Sequence, residues 1–183
     1  FIESTRGISD VCKTVTLKEH PNNPTPIIAG NVSFYNESKS GAIPPSPIVS
    51  CLGKIKNIDN AITMGFKKEN SLILMIGERK NELGGSLYCD LFNELGANVP
   101  KPDLEIVKGE IFSLTTCIDK KLILSCHDIS DGGLSAALTE MTFKNNIGCS
   151  VNYKTIMKPE AFLFSETGGF IIEADSLYLE EIK

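Results

Sequence analysis

The octet Gly30-Asn31-Val32-Ser33-Phe34-Tyr35-Asn36-Glu37 sets an amide, a hydroxyl and a phenol beside a glycine, directly after the apolar run Thr25-Pro26-Ile27-Ile28-Ala29. Read as a β-strand, the run sends successive side chains to opposite faces. Ile28, Gly30, Val32 and Phe34 then share one face, and Ala29, Asn31, Ser33 and Tyr35 the other. Asn31 and Ser33 point the same way, beside a backbone that a ligand can approach closely at Gly30. The alternative is an exposed edge strand running into a polar turn.

A second constellation is His127-Asp128-Ile129-Ser130-Asp131-Gly132-Gly133-Leu134, which follows the apolar stretch Leu122–Cys126. A helix starting after two glycines presents free backbone N–H groups and the positive end of its dipole, both of which favour anions. Asp128 and Asp131 would repel a bare phosphate. Mg²⁺ removes the conflict, because it is commonly held by one or two carboxylates together with substrate phosphates. The competing reading makes Asp128, Ser130 or Asp131 a plain helix cap. His127 at a strand end reads as a hydrogen-bonded side chain. Glu82-Leu83-Gly84-Gly85-Ser86 reads as the cap of a following helix.

The elements that must position these groups follow from periodicity. Ile8, Val11, Cys12 and Val15 predict a helix with one buried face within residues 2–18, which the prolines between 21 and 26 end. An apolar strand is expected at 48–55, after a loop carrying Pro44, Pro45 and Pro47. The polar, irregular stretch 57–68 is the expected boundary between two units. In the second unit, Leu72–Ile76 and Leu122–Cys126 are expected as buried strands. Helices are expected from the 82–86 turn to about Leu95, from Asp103 to Asp119 with Leu104, Val107, Ile111 and Leu114 inward, and after Gly133 with Leu134, Ala137, Leu138 and Met141 on one face. The fold class is α/β.

Composition narrows the function classes. Of the 183 residues 42% are hydrophobic and 22% charged, which fits a globular protein with a real core. The net charge is -5 and the 18 basic residues are scattered, so no basic stripe suggests nucleic acid. No apolar run approaches the roughly 18 residues of a membrane span. The six cysteines form no CxxC pair, which argues against structural zinc and for a reduced, cytoplasmic setting. Cys51, Cys126 and Cys149 lie in apolar or strand-like runs and are expected to be buried. A start at Phe1 and a stop at Lys183 inside a helix-like pattern suggest a piece of a longer polypeptide.

Taken together and in order, residues 29–37, Ile43-Pro44-Pro45-Ser46-Pro47-Ile48, residues 82–86, residues 127–134 and Leu163-Phe164-Ser165-Glu166 resemble the synthetase subunit of phosphoribosylformylglycinamidine synthase. The acidic glycine turn alone fits the wider aminoimidazole ribonucleotide synthetase superfamily. The octet narrows the resemblance to the purine enzyme. That family has two halves, each with an A domain joining a central barrel and an α/β B domain. The resemblance implies that residues 1–57 end the second A domain and that residues 68–183 form most of the second B domain.

It also implies an ATP-dependent ligase that turns formylglycinamide ribonucleotide and glutamine-derived ammonia into formylglycinamidine ribonucleotide. Gly30 would lie against ATP, Asn31 would ligate Mg²⁺ and Ser33 would contact substrate. Asp128, as a Mg²⁺ ligand, and Ser130 would face an auxiliary nucleotide. The family's catalytic histidine falls in the first half, so no catalytic residue is expected here. The octet resembles the small bacterial form, which implies a separate glutaminase subunit and a small bridging subunit as partners. The sequence departs from the family at Phe170, where an arginine is expected. Two other readings stay open: a noncatalytic nucleotide-binding scaffold half of that enzyme, and another ATP-using member of the superfamily.

Overall fold

The computed structural model describes residues 1–31, 35–44 and 46–183, and the chain divides into two compact units, Phe1–Lys54 and Ile55–Lys183.

The first unit holds one helix and one small hairpin among its described residues. Helix α1, Ile2–Thr14, carries Glu3 in its first turn and Lys13 in its last, matching the helix dipole. It stops before the predicted Lys18. Thr25 ties the chain back, its N–H donating to Cys12 O at 2.8 Å and its hydroxyl to Val15 O at 2.6 Å. No residue of α1 is buried, and Val11 is 44% exposed. The expected apolar face is only half covered among the described residues: Ile8, Cys12 and Val15 are partly buried and Val11 is exposed. Strands β1 (Glu37–Ser38) and β2 (Gly41–Ala42) pair antiparallel around the end of the octet.

Two expected strands in this unit are not formed. Residues 25–29 and 48–55 belong to no strand, and Ile28, Ile48 and Leu52 are 77%, 94% and 88% exposed. Apolar sequence favours extension, but a strand exists only when a neighbour accepts its N–H and C=O groups.

The second unit is built on a three-stranded antiparallel sheet in the order β3 (Leu72–Ile76), β5 (Phe170–Ala174), β4 (Ile123–Asp128). β5 is central, with Ile76 and Asp128 both paired to its first residue, Phe170. Its side chains alternate between two cores. On one face, Ile171 packs with Phe66, Ile129 and the predicted stripe Leu134, Ala137 and Met141 of α4 (Gly133–Thr142). On the other, Ile172 and Ala174 pack with Leu122, Ile123 and Leu114 of α3 (Leu104–Asp119). Burial of Ile171, Ile172 and Met141 stabilises the unit by about 1.5–3 kcal/mol each. The helix after residue 86 is shorter than expected: α2 covers only Leu87–Asp90. Two further helices, α5 (Pro159–Phe164) and α6 (Leu179–Ile182), complete the unit.

A buried carboxylate fastens the approach to β3. Glu173, fully buried on β5, accepts from the N–H groups of Lys67 and Lys68 at 2.8 and 2.9 Å and from the hydroxyls of Ser71 and Ser125, both at 2.8 Å. Four donors offset the cost of removing this charge from water.

Candidate functional site

The ends of β3 and β4 and the start of β5 lie at one edge of the sheet, so the segments that follow or precede them gather there. The acidic turn leaves β4 at Asp128. Its Ile129 is 2% exposed and donates its N–H to Gly169 O at 2.8 Å, while Gly133 N–H closes the turn on Ser130 O at 3.0 Å. Gly132 and Gly133 have φ of 76° and 67°. A Cβ on Gly133 would stand 2.8 Å from both Phe164 C and Ser165 O. Two glycines therefore let the head of α4 rest directly on the backbone that follows α5.

None of the turn's own side chains caps α4. The N-cap position of α4 is Gly132, which has no side chain to cap with, and its N–H donates to Glu166 Oε1 at 2.9 Å. This removes the capping reading of Asp128, Ser130 and Asp131. All three are exposed, with the Asp128 side chain at 61%.

Electrostatics favour a charged Asp128. Partial burial works to raise its pKa, but hydrogen bonds from Ser130, from its own backbone N–H and from His127 outweigh this, and the carboxyl is held below the ordinary aspartate value. His127 Nδ1 is 3.1 Å from Asp128 Oδ1, and its Nε2 is 2.7 Å from Glu140 Oε2. The histidine is thus fixed between two carboxylates, in keeping with the hydrogen-bonded reading. The turn offers an ionised carboxylate, a hydroxyl and a second carboxylate, an all-oxygen set that suits Mg²⁺. Among the described residues no three His, Cys, Asp or Glu side chains converge to hold a metal by themselves. The set fits a cation completed by phosphate oxygens and water.

Residues 82–86 behave as the capping reading expects. Ser86 caps α2, its Oγ accepting from Cys89 N–H at 3.3 Å while donating to Leu83 O at 2.7 Å. Gly84 and Gly85 donate to Asn98 O and Leu95 O, both at 2.7 Å, and so fold the segment back on itself.

Sequence reasoning missed Arg79. It is 8% exposed and donates from Nη1 to Ser165 O at 3.0 Å and from Nη2 to Gly168 O. Burial pushes its guanidinium below the ordinary arginine value, against the pull of Glu110 and Glu82; the same burial raises Glu110. The resemblance expects an arginine where Phe170 stands. Here a guanidinium reaches that loop from the end of β3 instead, and Phe170 packs into the sheet. The only sequence signal was an arginine three residues past an apolar strand, which was expected to be buried but lies half-buried at the sheet edge.

In the first unit, Gly30 and Asn31 are exposed and lie outside any helix or strand, and a Cβ at Gly30 would meet nothing within 4 Å. Ser33 lies outside the described residues, together with Val32, Phe34 and Pro45. Asn31 retains an oxygen donor of the kind Mg²⁺ prefers. The cysteine expectation is corrected: Cys51 and Cys149 are exposed, Cys126 is partly buried, and Cys89 is the buried one. Exposure of Cys51 follows from the unpaired 48–55 segment.

Comparison with known proteins agrees with this architecture. The chain is 40% identical over 176 residues to the phosphoribosylformylglycinamidine synthase subunit PurL of Methanothrix thermoacetophila, covering 94% of this chain and 23% of that protein. It is 38% identical over 189 residues to the subunit of the same name from Thermococcus sibiricus, covering 100% of this chain and 25% of that one. The chain therefore spans about a quarter of the length of these curated relatives. Among solved structures, it resembles Thermotoga maritima PurL complexed with ATP (TM-score 0.51, 17% identity) and the same protein complexed with FGAR (TM-score 0.56, 16% identity). Each likeness covers 68% of this chain, and 20% and 23% of the respective neighbours, and at such identities it speaks for the fold. The family described as "AIR synthase related protein, C-terminal domain" matches residues 68–176, more than half of the chain. The chain belongs to that family.

Proposed function

We propose that this chain is part of an ATP-dependent, amidine-forming ligase of purine biosynthesis, equivalent to the PurL subunit. The observation that carries the reading is 40% identity to a PurL subunit across 94% of the chain. The octet lies in that matched stretch. In the proposed reaction the γ-phosphoryl group of ATP passes to the amide oxygen of formylglycinamide ribonucleotide, releasing ADP. Ammonia then attacks the activated carbon and phosphate leaves, giving the amidine. Chemistry of this kind asks the protein for positioning and charge stabilisation.

Residues 1–57 would belong to the second A domain and residues 68–183 to the second B domain. Gly30 would admit the nucleotide to the backbone, Asn31 would hold Mg²⁺ through its side-chain oxygen and Ser33 would donate to substrate. Asp128 and Ser130 would serve an auxiliary nucleotide, Asp128 as the ionised ligand of its cation. Mg²⁺ bound there would neutralise phosphate charge. Ammonia would come from a glutaminase subunit, with a small bridging subunit between, in the cytoplasm. A solved structure with a similar fold, described as "Structure of PurLQS from Thermotoga maritima", supports a multi-subunit assembly. Among the described residues no helix is long and apolar enough to cross a membrane.

The test is Asn31→Ala in the full-length protein. Removing one electrostatic stabiliser near the phosphates should lower kcat by about 10- to 1000-fold with an unchanged melting temperature. Wild-type turnover in a normally folded variant would remove Asn31 from the site. The scaffold reading predicts instead that Mg-ATP binds through Asp128 and that Asn31→Ala is silent.

A further inference from the structure

The acidic turn and the 82–86 segment are joined through one atom. Glu166 Oε1 accepts from Leu87 N–H and from Gly132 N–H, both at 2.9 Å. Leu87 is the first residue of α2, directly after the 82–86 segment, and Gly132 heads α4 directly after the acidic turn. Neither amide is served by a nearer side chain, since Ser86 accepts from Cys89 and α4 has no side-chain cap. The loop that carries Glu166 is itself fixed. Arg79 holds the carbonyls of Ser165 and Gly168, Ile129 N–H holds that of Gly169, and Gly133 rests against Phe164 and Ser165. The carboxylate is thus delivered to its two donors by backbone anchored on both sides.

We propose that Glu166 is the positioning residue of the auxiliary nucleotide site: it locks the two glycine segments into one wall and, by occupying the amide at the head of α4, spares Asp128 and Asp131 from capping that helix, so that Asp128, held by Ser130 and His127, presents its carboxylate to a cation. This rests on the nucleotide reading of the acidic turn. Were Asp128 or Asp131 needed to cap α4, its oxygens would be committed to backbone N–H groups. Glu166 meets that need from another element. Its charge also closes the α4 amide to a bare phosphate, so nucleotide must enter with its metal.

The experiment measures Mg-ADP affinity by calorimetry, and amide hydrogen exchange at Leu87 and Gly132, in the full-length wild type and in Glu166→Ala, Glu166→Gln and Asp128→Asn. Glutamine keeps an oxygen that can accept both bonds, and alanine does not. The Ala variant should lose about 10- to 100-fold in Mg-ADP affinity, the usual cost of removing a group that orients a metal ligand. Both amides should exchange faster together. The Gln variant should stay within a few-fold of wild type with Mg-ADP and gain measurable affinity for ADP in EDTA, which a purely structural tie would not produce. Wild-type affinity in Glu166→Ala, equal losses in Ala and Gln, or no ADP binding by the Gln variant in EDTA overturns the inference. If the wild type binds Mg-ADP and Asp128→Asn does not, the nucleotide reading stands whatever Glu166 does. If the wild type binds none, that reading falls and this inference with it.

Discussion

Cys126 lies two residues before Asp128 on β4, and its thiol is a reporter of the charge in the acidic turn. Burial, and after it the Asp128 carboxylate, push the thiol up to about 11. Because the thiolate is the reactive form, native Cys126 should be alkylated far more slowly than exposed Cys149 at pH 8, and its rate should climb only as the pH approaches 11. Removing the neighbouring negative charge in Asp128→Asn should lower that value and speed the labelling of Cys126 while leaving Cys149 unchanged. Mass-spectrometric labelling rates against pH check both. Equal rates for the two native cysteines would mean that the strand end is more open than described. At this scale the sequence was legible for the turn residues themselves, since acid, hydroxyl and glycine types announce their chemistry. It was silent on Arg79 and marked Glu166 only as part of a motif with no role, because their partners stand 89 and 79 residues away.

Elements with a continuous apolar run or a clean helical stripe were legible: β3, β4, α3 and α4 formed within a few residues of the expected positions. β5, the central strand, was not foreseen, because Phe170-Ile171-Ile172-Glu173-Ala174 interrupts its apolar run with a carboxylate. Only the folded arrangement explains Glu173, which binds the backbone at Lys67 and Lys68 from over 100 residues away. Glu173→Ala would take the acceptor from the N–H groups of Lys67 and Lys68 and from the buried Ser125 hydroxyl, while Ser71 keeps Lys68 O. A loss of about 2–4 kcal/mol is expected in urea unfolding of the full-length protein, at the upper end of single-substitution effects. A loss below about 0.5 kcal/mol would show that water replaces the carboxylate readily. Conversely, the strands expected at 25–29 and 48–55 did not form, since sequence signals the tendency to extend but not the presence of a partner.

For the whole molecule, the two units differ in how far they are finished. The second encloses two cores around one sheet, whereas Ile27, Ile28, Ile48, Val49 and Leu52 of the first are 61–94% exposed. Unpaired apolar segments of this kind are sites of association, so the 183-residue chain alone should aggregate through residues 25–55 and show no synthetase activity. Full-length protein bears the decisive test. Purified full-length protein, given formylglycinamide ribonucleotide, Mg-ATP and ammonia, should release one ADP and one phosphate for each formylglycinamidine ribonucleotide formed, as followed by mass spectrometry and phosphate release. A folded, nucleotide-binding protein that forms no amidine from this substrate, with ammonia or with the glutaminase subunit present, would contradict the account.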